Sequence, residues 1–140
     1  MALTGEQASV VERWIAAMND HDVDGAVDCF AVDYHDEAPA RRGESVSGRD
    51  HVRRNFVALF SQLADLRAEI LRSVADGTTL WMEWRMVGTR RDGTRVEFVG
   101  VNIFETAAER VRRGWIYTEL VRDAGGADAQ VERMTRGGSE

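Results

Sequence analysis

At 140 residues, with 44% hydrophobic and 30% charged side chains, the chain has the size and composition of one globular domain that buries its own core. A formal charge of -6 speaks against a general nucleic-acid or anionic-membrane surface, and a lone cysteine, Cys29, excludes a disulfide framework or thiolate metal cluster within the chain. The opening MALTGEQASVVERW has neither the basic region nor the apolar run of a signal peptide, and no stretch reaches membrane-spanning length; a cytoplasmic protein without nucleic-acid or membrane partners is expected.

Val10, Val11, Trp14, Ile15 and Met18 recur at three- and four-residue steps and draw one apolar stripe along a helix starting near Thr4. Asn19 to Asp22 break it. A second short helix reads through Val23, Ala26, Val27 and Phe30, with Asp22 or Asp24 able to accept from its first-turn amides, and Cys29 reads as a small core residue. Asp33 to Arg42 holds the only proline, Pro39, and mixes acids with Tyr34 and His35, which predicts an irregular stretch or a short edge strand. After the loop Gly43 to Gly48, Ser47 with Asp50 predicts a capped third helix whose stripe is Val52, Phe56, Leu59, Phe60 and Leu63.

Beyond Asp65 the period changes. Four runs, Arg67 to Val74, Thr78 to Thr89, Thr94 to Glu105 and Arg110 to Val121, read as strands, with Asp76-Gly77 and Asp92-Gly93 as tight-turn dipeptides. Strands this long bend, and Gly88, Gly100 and Gly114 are candidate bends. The expected fold is α+β: three N-terminal helices packed on a curved antiparallel sheet that forms a cone-shaped pocket, over residues 1–122, followed by a flexible Gly-rich tail at 123–140.

The strings Trp14 to Asn19 with His21-Asp22, Phe30-Ala31, Ala38-Pro39, Ser47 to Asp50, Gly100 to Glu105 and Trp115 to Tyr117 with Glu119 resemble the SnoaL-like superfamily. That group has the nuclear transport factor 2-like fold and includes ketosteroid isomerases, polyketide cyclases and limonene epoxide hydrolase. The resemblance implies a pocket for a small apolar molecule, no bound cofactor, and a homodimer through the outer sheet face. It also aligns the isomerases' tyrosine with Trp14, their base with Ala38 and their oxyanion aspartate with Asn102. The cyclases' aspartate falls on Ile116, and two of the epoxide hydrolase positions fall on Glu83 and Arg85 in reversed order. None of the three chemistries carries over intact.

Alternation along the second strand run puts Trp81, Glu83 and Arg85 on one face and Leu80, Met82, Trp84 and Met86 on the other. The second set is the more apolar, but the resemblance turns the first toward the pocket, where Glu83 paired with Arg85 would stay ionised as a base. Glu37, beside Ala38, is the second acid/base candidate. Asn102 is the expected hydrogen-bond donor, Trp14 and Trp81 the aromatic walls, and Met18, His35 and Ile116 complete the ligand-facing set. Asp36 and Tyr34 read as a solvated edge, and His21 and His51 as exposed. No histidine or cysteine spacing suggests a metal site. The expected activity is acid/base isomerisation, cyclisation or hydrolysis of a small apolar or polycyclic carbonyl compound; the alternative is a non-catalytic ligand-binding or dimerisation module.

Overall fold

The structure, a computed structural model, describes Leu3 and residues 5–136. Helix α1 (Gly5–Asp20) turns the predicted stripe inward, burying Val10, Trp14, Ala17 and Met18. It stops where His21 takes φ 54°. Asp22 then caps α2 (Val23–Asp28), its Oδ1 accepting from the Gly25 amide at 3.0 Å. Strand β1 (Phe30–Glu37) follows, so the stretch expected to be irregular or a short edge is an eight-residue strand before the loop at Ala38.

Helix α3 (Gly48–Gln62) buries Val52 and Phe60. Ser47 occupies its N-cap position without a side-chain cap, because the hydroxyl is engaged instead with His35 Nδ1 at 2.8 Å. The remaining strands are β2 (Arg67–Asp76), β3 (Thr79–Thr89), β4 (Arg95–Ala107), β5 (Arg110–Ile116) and β6 (Glu119–Leu120). Their order is β1-β5-β4-β3-β2, with β6 on β4.

One expectation about the sheet is corrected. The meander β2 to β5 is antiparallel, but β1 runs parallel to β5, so the sheet is mixed. Tight hairpins force neighbouring strands to alternate in direction, whereas β1 joins the meander only through α3 and is under no such constraint. Within the segment expected to be a flexible tail, Ala127–Thr135 forms helix α4, none of whose residues is buried. No helix among the described residues is long and apolar enough to cross a membrane.

The core lies between the helices and one sheet face, where Leu80, Met82, Trp84 and Met86 alternate inward along β3. Two of the candidate glycines mark close approaches. At Gly114 a Cβ would stand 2.7 Å from the Tyr34 hydroxyl, and at Gly100 one would stand 2.3 Å from the Tyr117 carbonyl. The first admits a β1 side chain over β5; the second lets the chain after β5 cross β4.

Candidate functional site

Between α1, α3, β1 and the inward sheet face lies a cavity of about 580 Å³, bounded on one side by the loop from Ala38 to Val46. That volume falls in the usual range for small-molecule sites. Its walls are mostly aromatic and aliphatic: Trp14, Phe30, Phe56, Trp84, Phe104 and Ile116. Trp14 and Trp84 meet edge to face with centroids 4.7 Å apart.

Polar side chains interrupt this surface on β1, β4 and α3 and along the loop. On β1, period two from Phe30 brings Tyr34, Asp36 and Ala38 to the inner face. Asp36 is 8% exposed, and its two oxygens accept from the Tyr34 hydroxyl at 2.6 Å and from the Val46 amide at 3.0 Å. Burial, reinforced by the Asp36 charge, pushes the Tyr34 hydroxyl far above its ordinary pKa, so it remains a donor.

On β4, Asn102 is 4% exposed and accepts through Oδ1 from the Thr118 hydroxyl at 3.0 Å, while Thr118 accepts from Trp84 Nε1 at 2.7 Å. On α3, His51 Nδ1 accepts from the Ser47 amide at 3.3 Å, which leaves Nε2 to carry the proton of the neutral ring. At the cavity's edge, Arg41 donates to the Thr118 carbonyl at 3.1 Å and pairs with Glu119 at 2.6 Å and Glu44 at 2.8 Å, tying the loop to the end of the sheet. The first of these effects on Arg41's pKa is the Glu44 hydrogen bond, which raises it. One buried atom has no partner among the described residues, Trp14 Nε1.

The residues singled out from sequence divide cleanly. Trp14, Asn102 and Ile116 line the cavity, as does Ala38. Met18 is 1% exposed within the core and is not among the cavity-lining residues. His35 is half-buried against Ser47, away from the cavity wall. Glu37 projects outward by strand parity, 3.9 Å from Arg113.

The expected inward trio of Trp81, Glu83 and Arg85 is corrected: it occupies the outer sheet face. Trp81 is 46% exposed, Glu83 pairs with Arg72, and Arg85 lies between Glu69 and Glu97. Burial favours the apolar set on β3, and one strand cannot turn both sets inward. The Arg72 hydrogen bond lowers the Glu83 pKa, as expected of a paired surface acid. In turn, sequence reading missed Tyr34, Asp36 and His51. Taking Ala38 as inward and stepping back by two would have found the first pair.

Among the described residues no cluster of three His, Cys, Asp or Glu side chains is placed to hold a metal ion. The architecture, helices packed on one face of an open, mixed six-stranded sheet with a cavity between them, defines an α+β fold of the cone-shaped kind. The SnoaL-like domain model matches residues 11–114, and the chain belongs to that family.

Solved structures share the fold. A Catenulispora acidiphila protein with a ketosteroid isomerase-like fold, in complex with trimethylamine, is 17% identical with TM-score 0.65, covering 77% of this chain and 83% of its own. An LEH-like epoxide hydrolase of M. tuberculosis is 19% identical with TM-score 0.69, covering 81% and 83%. A proposed polyketide cyclase of Sinorhizobium meliloti is 19% identical with TM-score 0.61, covering 83% and 100%. A comparison with curated proteins gives no match.

Proposed function

We propose that this SnoaL-like protein is a cofactor-independent catalyst of proton transfer on a small, apolar, carbonyl-bearing molecule, with Asp36 as acid/base and Asn102 as the donor to the carbonyl. The observation that carries this reading is a carboxylate, 8% exposed, on the inward face of a cavity walled mostly by aromatic and aliphatic side chains. A carboxylate has about four lone-pair sites, and Tyr34 and Val46 use two, leaving Asp36 capacity for a substrate proton. Asp36 removes a proton from the carbon next to the carbonyl, and the electron pair moves onto the carbonyl oxygen, which accepts from Asn102. Return of the proton to that carbon gives exchange; return elsewhere gives isomerisation.

The test uses 2-tetralone in D₂O, with exchange at its acidic C1 position followed by NMR. The protein accelerates exchange above the buffer rate, and Asp36→Asn abolishes the acceleration while 2-tetralone still binds. Unchanged exchange by that variant would remove Asp36 from the role.

A second reading, a non-catalytic binding module, is favoured by the apolar Ala38 and Ile116 at the remaining inward positions. It expects binding of 2-tetralone without accelerated exchange. The same proposal includes a homodimer through the outer sheet face, supported by an apolar row with Val74 and Trp81 exposed and Ile103 and Trp115 half-buried, in which Val74 lies opposite Trp81, Trp81 opposite Ile103, and Ile103 opposite Trp115.

A further inference from the structure

We infer that Thr118, which is not among the cavity-lining residues, is a positioning residue that holds the Asn102 amide with its N–H groups toward the ligand, making the site selective for a hydrogen-bond acceptor. This rests on the reading in which Asn102 donates to the occupant's carbonyl, and adds what fixes the direction of that donor.

The argument is one of donor and acceptor directions. An indole N–H can only donate, so Trp84 Nε1 at 2.7 Å occupies a lone pair of the Thr118 hydroxyl. The hydroxyl hydrogen must then find an acceptor elsewhere, and Asn102 Oδ1 at 3.0 Å takes it. With the amide turned over, Thr118 would accept twice, and its own hydrogen would have no acceptor among the described residues. The donor-only indole thus sets the direction of the whole series.

Its end is the Asn102 Nδ2 group, on a side chain 4% exposed in the cavity wall, for which no protein acceptor is present among the described residues. This open donor stands among mostly apolar and aromatic walls, so an occupant that supplies a carbonyl oxygen is favoured over an apolar group of the same shape. Thr118 is itself held: its carbonyl accepts from Arg41 at 3.1 Å, and its backbone rests on Gly100, where a Cβ would lie 2.6 Å from the Thr118 Cα.

The experiment compares 2-tetralone with tetralin, the same bicycle without the carbonyl, and reads the infrared carbonyl band of bound, ¹³C-labelled 2-tetralone. In the wild type the band lies below its position in an aprotic solvent, and the ketone binds more tightly than tetralin. Thr118→Val, isosteric but without the hydroxyl, returns the band toward the aprotic position and lowers the preference about tenfold. Thr118→Ser keeps both.

An unchanged band and preference in Thr118→Val overturns the inference. If that variant does not fold, Trp84→Phe removes the indole donor and splits the band into two populations; a single unshifted band there overturns it equally. Failure of the wild type to bind either compound defeats the ligand class and this inference together. Equal binding of both, with the band at its aprotic position, defeats the orienting role alone.

Discussion

The Tyr34 hydroxyl and the Asp36 carboxylate lie 2.6 Å apart on one face of β1, directly over a glycine: Asp36 is the cross-strand partner of Gly114. The absence of a side chain at Gly114 opens the space for the pair, since a Cβ there would also come within 3.2 Å of the Asp36 Cβ. Two strands therefore cooperate to hold a buried carboxylate, with one donor on each oxygen, in the wall of the cavity.

Tyr34→Phe removes one of the two protein donors to Asp36 and is expected to lower folding stability by about 2 kcal/mol at pH 7, read by urea denaturation. The pH dependence has a definite sign. Burial first, and the Asp36 charge second, raise the Tyr34 pKa in the folded state above the unfolded value of about 10. Its contribution is therefore intact below about pH 10 and declines as pH rises beyond it, by up to about 1.4 kcal/mol per pH unit. Tyr34→Phe abolishes that alkaline slope. A variant with the wild-type slope between pH 9.5 and 11 would assign the loss to another group.

Much of the fold was readable from residue pattern because the pattern is what burial acts on. The stripe on α1, the cap at Asp22 and the turns at Asp76-Gly77 and Asp92-Gly93 each have a local cause, and each sits where that cause acts. The turn at Ala108 and Glu109 has no such signal, yet both residues take positive φ, 51° and 60°, because the paired strands on either side impose it. The site was less readable. On β3 the apolarity of Leu80, Met82, Trp84 and Met86 was the better guide to the inward face, and the resemblance pointed the other way. On β1 strand parity from Ala38 gives the inward direction of the tyrosine and aspartate, but the contacts that bury them, with Gly114 and with Val46 of the loop, are distant in sequence, and without them the pair looks like an edge.

The closeness of Gly100 to the crossing chain makes a sharp steric prediction. Gly100→Ala would put a Cβ 2.3 Å from the Tyr117 carbonyl oxygen and 2.6 Å from the Thr118 Cα, both backbone atoms that cannot rotate aside. The Tyr117 amide also donates to the Val101 carbonyl at 2.9 Å, so the crossing is fastened as well as close. The expected cost is about 3 kcal/mol, at the upper end for overpacking, measured by urea denaturation. In folded molecules of the variant, the displaced Thr118 should also weaken the hydrogen bond to Asn102, so the carbonyl band of bound 2-tetralone should move as it does in Thr118→Val. A stable Gly100→Ala protein with wild-type ligand spectra would show that the crossing is loose.

The outer face supplies the opposite kind of prediction, in which charge and exposure separate two roles on one strand. Val74, Trp81, Ile103 and Trp115 form a row across four strands, flanked by Arg72 paired with Glu83 and by Arg85 between Glu69 and Glu97. Because the carboxylate of Glu83 faces away from the cavity, Glu83→Gln should leave 2-tetralone affinity and exchange unchanged. Its pKa is depressed by Arg72, so the small stability it contributes is present above the unfolded carboxylate value and is lost as pH falls through the folded one. Trp81→Asp acts differently. It puts a charge in the centre of the apolar row, and a dimer joined through that face would have to bury it unpaired. Light scattering at micromolar concentration should therefore show wild-type dimers and Trp81→Asp monomers, with ligand binding in the monomer retained. A Trp81→Asp dimer, or a monomeric wild type, would remove the outer face as the joining surface.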